Sequence, residues 1–148
     1  MRLTAHFALA EFTRSESAKR HGVSNEPTPE HLQNLIVLCE KVLEPIRMKF
    51  GPINISSGYR SKALNHYIGG SLNSQHCEAK AADIDMDGMG GVTNKQIFEY
   101  IKNELEFDQL INEFNYSWIH VSYNQGKNRK QILDALKVNN KTVYSTHK

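Results

Sequence analysis

The stretch SQHCEAKAADIDMDG, Ser74 to Gly88, gathers one histidine, one cysteine and three aspartates within fifteen residues. Groups of this kind hold metal ions, and two metals come into question. The run Asp83-x-Asp85-x-Asp87-Gly88 has the spelling of a calcium loop, which supplies oxygens from positions one, three and five and turns at a glycine in position six. Such a loop needs a bidentate glutamate at position twelve, where this chain has Asn94, and no amphipathic helix leads into the run through EAKAAD. Asp85 and Asp87 are therefore expected to be polar positions on the solvated face of an edge strand.

Zinc asks for a different set: three nitrogen or oxygen ligands, with a fourth place open for water where the site is catalytic. His76 and Asp83 stand seven residues apart, one on a turn and the other on the strand that the turn enters. The best third ligand is His120, in the middle of the apolar strand SWIHVSY, with Ile119 and Val121 pointing to the opposite face. An isolated strand histidine is more often structural, so spacing alone leaves both readings open. Cys77 adjoins His76 but has no CxxC partner, which makes thiolate ligation weak. Cys39 falls on an apolar helical stripe and reads as a buried thiol.

The surrounding elements must position these groups. Ser15 starts a short helix that ends at Gly22. Thr28 and Pro29 are a cap and a first helical residue for a helix carrying Leu32, Leu35, Ile36, Cys39, Val42, Leu43 and Ile46 at three- and four-residue spacing. Pro45 predicts a kink in it. Ile53 to Ser56 reads as a short strand, followed by a long loop through SGYRSKALNHYIGGS with one helical turn. KAADIDM alternates as a strand, and Thr93 with Gln96 forms a capping box for a helix through Ile97, Ile101 and Leu105. FDQLINEF and SWIHVSY are expected to pair as a hairpin with a tight turn at Asn115-Tyr116. A last short helix is expected over Gln131 to Leu136, and residues 137–148 read as a frayed tail. The sum is an α+β fold with a small, mostly antiparallel sheet and helices packed on it, in one domain over residues 1–148.

Composition sets outer limits. At 148 residues and 39% apolar content the chain can bury a core unaided. No apolar run reaches the roughly 18 residues that span a bilayer. A net charge of +2, without basic blocks, excludes the usual nucleic-acid footprint. Neither nucleic acid nor membrane insertion is expected, and a monomer is.

Ser74-x-His76 followed by Ala81-x-Asp83, with Ser57-Gly58-Tyr59-Arg60 upstream and Trp118-Ile119-His120 downstream, resembles the M15 family of zinc D-Ala-D-Ala carboxypeptidases and peptidoglycan endopeptidases. The likeness runs from about Phe7 to Leu136 and includes TRSESAKRHG at Thr13 to Gly22 and FDQLI at Phe107 to Ile111. It implies that His76, Asp83 and His120 hold Zn2+, that the fold is the one shared with Hedgehog signalling domains, and that the substrate is the stem peptide of bacterial peptidoglycan. It also gives Arg60 the role of holding a substrate carboxylate or a developing oxyanion, and Ser74 and Tyr59 places beside the substrate. Phage or prophage origin fits an N-terminus without a signal-peptide core. The enzyme would then be cytoplasmic until holin-type lysis, or carried in a phage particle.

Two positions depart from the family pattern. Ala79 stands where glycine is common, which is harmless if its φ is negative. Ser117 stands three residues before His120, where many members carry the catalytic glutamate, and serine cannot act as that base. Hairpin geometry offers Glu113 instead: a two-residue turn at Asn115-Tyr116 sets Glu113 opposite Trp118 and Ile111 opposite His120, so that Glu113 and His120 are diagonal neighbours on one face. If Glu113 does not serve, the alternative is a non-catalytic, zinc-containing cell-wall-binding or phage structural module.

Overall fold

The computed structural model describes residues 1–71 and 73–148. Its helices are α1 (Ala10–Thr13), α2 (Glu16–His21), α3 (Pro29–Leu38), α4 (Glu44–Phe50), α5 (Lys62–Tyr67) and α6 (Asn94–Glu104). Its strands are β1 (Ile55–Ser57), β2 (Ala81–Ile84), β3 (Gln109–Glu113), β4 (Trp118–Ser122), β5 (Gln131–Val138) and β6 (Lys141–Thr146). The strands form one sheet in the order β1-β2-β4-β3-β5-β6.

Local chemistry sets the helix ends. Ser15, Thr28 and Thr93 each accept a hydrogen bond from a first-turn N–H of α2, α3 and α6, and Gly22 closes α2 at φ 62°. The capping box at Thr93 and Gln96 is present. Between α3 and α4 the chain widens into a π-helical turn, Cys39–Leu43, where Glu44 N–H reaches back to Cys39 O. Pro45 follows at once; it lacks an N–H and its ring crowds the preceding turn, so a wider turn accommodates it better than a regular one.

The sheet is mixed, not the mostly antiparallel sheet expected, because β3 and β5 run parallel. The C-terminal segment accounts for this. Residues 131–136 form a strand rather than a helix, and most of the expected frayed tail pairs with it as β6. Ile132, Leu133 and Leu136 have spacing that a helix could use, but pairing with β3 overrides local preference. The α5 segment is likewise longer than the single turn expected.

Alternation divides the sheet. Ala82, Ile84, Leu110, Ile119 and Val121 join Leu35, Leu38, Val42, Ile46, Ile97, Phe98 and Ile101 in the core. Asp83, His120, Ile111, Glu113, Trp118 and Leu133 line a cleft on the other face. Filling one face with apolar side chains, each contributing roughly 1.5–3 kcal/mol, fixes the register and so fixes which residues face the cleft. No described helix is long and apolar enough to cross a membrane.

Candidate metal centre and active-site cleft

His76 lies in a 3-10 turn, Gln75–Glu78, between α5 and β2, with Ser74 as its cap. Two bonds to the chain after β1 hold it: Arg60 N–H donates to His76 O at 3.1 Å, and Gly58 O accepts from His76 Nδ1 at 2.7 Å. The second bond fixes the tautomer and leaves Nε2 free to bind a metal, as the outer partners of metal-bound histidines commonly do. Gly58 is required by close approach, since a Cβ there would lie 2.7 Å from Phe12 Cα. The sequence reading missed its orienting role, although Gly58 stands within the motif quoted for the resemblance.

Asp83 and His120 are cross-strand partners in the β2–β4 pair. Asp83 Oδ1 lies 3.4 Å from His76 Nε2 and 3.3 Å from His120 Nδ1. One ligand atom from each of the three side chains falls within 4.8 Å of the others. These separations are long for hydrogen bonds, and Asp83 Oδ1 and His120 Nε2 are buried without a partner. They match the edge of a tetrahedron with ligand bonds near 2.1 Å, about 3.4 Å. A buried carboxylate oxygen facing two imidazole nitrogens with no donor to satisfy it fits a cation-binding site, and three N/O donors with an open side suit zinc. Burial by itself would raise the Asp83 pKa, but the neighbouring imidazoles of His76 and His120 hold it well below the ordinary carboxylate range. Cys77 is buried and stands outside the cluster.

Glu113 shares this face. The turn after it runs over Phe114–Ser117, longer than the two-residue turn expected, with Phe114, Asn115 and Tyr116 all at φ 52–62° and Ser117 N–H closing on Glu113 O. The added residues flank the turn symmetrically, so the register is unchanged: Glu113 faces Trp118 and Ile111 faces His120. Left-handed backbone costs L-residues roughly 1–2 kcal/mol each, and several bonds offset it here. Asn112 Oδ1 accepts from Tyr116 N–H at 2.6 Å, Ser117 Oγ donates to Phe114 O at 2.7 Å, and Asn94 Nδ2 donates to Tyr116 O at 3.0 Å. Asn94, the residue where a calcium loop would need its glutamate, thus braces the turn that carries Glu113. Among the described residues nothing donates a hydrogen bond to the Glu113 carboxylate. Burial raises its pKa to about 7, with the Asp83 charge adding and the His120 charge opposing.

The cleft around these residues has a volume of about 630 Å³. Arg60 and Ser74 stand on its β1 side, where Arg60 Nη2 donates to Ser74 Oγ at 3.2 Å. Ser74 Oγ also accepts from His76 N–H, so it ties the arginine to the histidine turn. Arg60 has no carboxylate partner among the described residues, and its Nε is buried without one.

Three expectations need correction. Tyr59 does not line this cleft: it is 5% exposed, its hydroxyl meets His31 Nδ1 at 3.2 Å, and its N–H is tied to Phe12 O. Ala79 has φ 59° rather than a negative value, because it closes the 3-10 turn in left-handed geometry. Asp85 lies past the end of β2, where its Oδ1 accepts from Asp87 N–H and Asn94 Nδ2, so it shapes a turn rather than facing solvent from a strand.

A further residue that the sequence reading missed is Asp108, which is 3% exposed. Its Oδ1 accepts from Arg129 N–H and Nε, both at 3.0 Å. Its Oδ2 accepts from Arg129 Nη2 at 2.9 Å and Gln75 Nε2 at 2.8 Å. The Arg129 bonds hold its carboxyl down at about 2. No signal in the local sequence marks it, since its partners lie 21 and 33 residues away.

A family model described as Peptidase M15 matches residues 5–122. No match was found among curated proteins. With the match covering most of the sequence, including all three clustered residues and Glu113, the chain belongs to the M15 peptidase family.

Proposed function

We propose that this protein is a zinc-dependent peptidase that hydrolyses a peptide bond in peptidoglycan stem peptides, as a D-Ala-D-Ala carboxypeptidase or an endolysin-type endopeptidase. In this reading His76, Asp83 and His120 hold the zinc ion. A zinc ion bound there supplies a Lewis acid that polarises the scissile carbonyl and makes the attacking water more acidic.

The observation that carries the reading is Glu113: a buried carboxylate with no hydrogen-bond donor among the described residues, on the cleft face beside His120. Such a group takes a proton from water and gives it back to a leaving amine near neutral pH. That poise favours an enzyme over a non-catalytic wall-binding module, which has no use for an unsatisfied carboxylate. Arg60, with no acidic partner among the described residues, holds the carboxylate of the substrate or a developing oxyanion. Ser74 keeps Arg60 in place, and the two bonds from Gly58 and Arg60 keep His76 aimed into the cleft.

The test is direct. The zinc-loaded protein is incubated with purified peptidoglycan and with a D-Ala-D-Ala-terminated stem peptide, with and without chelator, and products are read by mass spectrometry. Chelator-sensitive release of a peptide fragment or of D-alanine is expected. Absence of any released fragment from both substrates rejects the enzyme reading.

A further inference from the structure

The β5–β6 hairpin lies beyond the residues matched by the family model, yet it forms one wall of the cleft. Gln131, Leu133, Thr142 and Tyr144 line it there. Strand pairing explains how they reach the site. Trp118, Glu113, Ala135 and Tyr144 are successive register partners on β4, β3, β5 and β6, so their side chains stand in one row on one face. At about 4.8 Å per strand, Tyr144 starts roughly 10 Å from Glu113. The residue between them is Ala135, wholly buried and carrying only a methyl group. So small a residue does not block a long side chain leaning inward from β6, and Tyr144 lines the cleft.

Tyr144 is 54% exposed, and its hydroxyl has no hydrogen-bond partner among the described residues. Burial, then the nearby charges of Glu113 and Asp83, raise its pKa, so the phenol remains a donor at neutral pH. The cleft is thus unlike at its two ends. Arg60 at the β1 end offers a cation without an acidic partner among the described residues, while on the β5–β6 side Arg129 is tied to Asp108 and Tyr144, Thr142 and Gln131 offer neutral hydrogen-bonding groups.

We propose that Tyr144 is a substrate-binding residue whose phenolic O–H donates to a backbone carbonyl of the bound peptide, on the side of the scissile bond away from Arg60. This rests on the peptidase reading above. A peptide laid across the strands advances about 3.4 Å per residue, so two or three residues beyond the scissile bond are needed to meet the phenol. The hairpin therefore selects for chain length: it rewards a stem peptide and gives nothing to a dipeptide.

The experiment compares zinc-loaded Glu113→Gln with Glu113→Gln/Tyr144→Phe by calorimetric titration with a stem pentapeptide and with D-Ala-D-Ala, alongside turnover of wild type and Tyr144→Phe on the pentapeptide. Loss of the phenol should weaken pentapeptide binding about tenfold and leave the dipeptide unaffected. KM should rise with kcat within about twofold, and Tm and zinc content should stay unchanged. An unchanged pentapeptide Kd overturns the inference, and so does an equal loss for both ligands. A wild-type protein that cleaves nothing rejects the peptidase reading, while the titration pair still decides whether Tyr144 binds the peptide.

Discussion

Asp83 and Asp108 both belong to the central part of the sheet, and both have pKa values held below the ordinary range, yet their surroundings are opposite. Asp108 accepts four hydrogen bonds, three from Arg129 and one from Gln75. They clamp the crossover that leads into β5 beneath the start of β3. Among the described residues no donor satisfies Asp83 Oδ1, which faces two imidazole nitrogens at 3.3 and 3.4 Å. A buried carboxylate with every lone pair engaged is a structural fastening. One left unsatisfied costs free energy unless a bound cation completes it. Glu113 extends the contrast: among the described residues it has neither donor nor cation partner in contact, and its pKa moves up instead of down.

The largest effect should come from Glu113. Glu113→Gln is nearly isosteric and removes only the ability to exchange a proton. Turnover should fall by roughly 10²–10⁴-fold, the usual worth of a positioned general base, with one zinc per chain retained by metal analysis. Turnover within a few-fold of wild type would exclude Glu113 as the base and return attention to the non-catalytic reading.

The two aspartates should then separate cleanly. Asp83→Asn should abolish stoichiometric zinc while leaving the fold intact, since it is nearly isosteric and keeps the backbone pairing of β2 with β4. Asp108→Ala should do the reverse: it leaves the Arg129 and Gln75 donors unmet and should destabilise the protein by about 1–3 kcal/mol by urea titration, with zinc still bound at saturating metal. If Asp83→Asn kept full zinc occupancy, or if Asp108→Ala lost it without losing stability, the roles drawn from their hydrogen bonds would be wrong.

The site was more legible in the sequence than the wall facing it. His76, Asp83 and His120 were brought together by the resemblance to the M15 family, since spacing alone left His120 open, and the Glu113 placement followed from cross-strand pairing about a short turn, a register that survived even though the turn is longer. The C-terminal hairpin was illegible for a physical reason. QILDALKV contains helix-favouring leucine and alanine at helical spacing, and its conversion to a strand depends on a parallel partner twenty-two residues earlier. Asp108 was illegible in the same way, because its partners meet it only once that crossover is made. Tyr59, which the resemblance set beside the substrate, is buried instead, as adjacent residues in extended chain point oppositely and Arg60 takes the cleft side.

The pH dependence of stability gives the comparison a signed test in metal-free protein. Asp108 has a folded pKa of about 2, against an ordinary aspartate value of 3.8, so its folded state binds fewer protons. Its stabilising contribution is present above about pH 4 and is lost as pH falls toward 2. Glu113 has a folded pKa of about 7 against 4.5, so its folded state binds more protons. Its contribution is full below about pH 4.5 and is lost as pH rises through 7. Wild-type urea midpoints should therefore decline on both sides of an optimum near pH 4–5. Glu113→Gln should flatten the decline between 4.5 and 7 and leave the acid limb alone. Asp108→Asn should make the acid limb shallower without removing it, because Asp83 is also held acidic in the folded state. If Glu113→Gln kept the full decline above pH 4.5, the carboxylate would not be the desolvated group of this cleft, and the contrast between satisfied and unsatisfied carboxylates would no longer explain which residues do the chemistry.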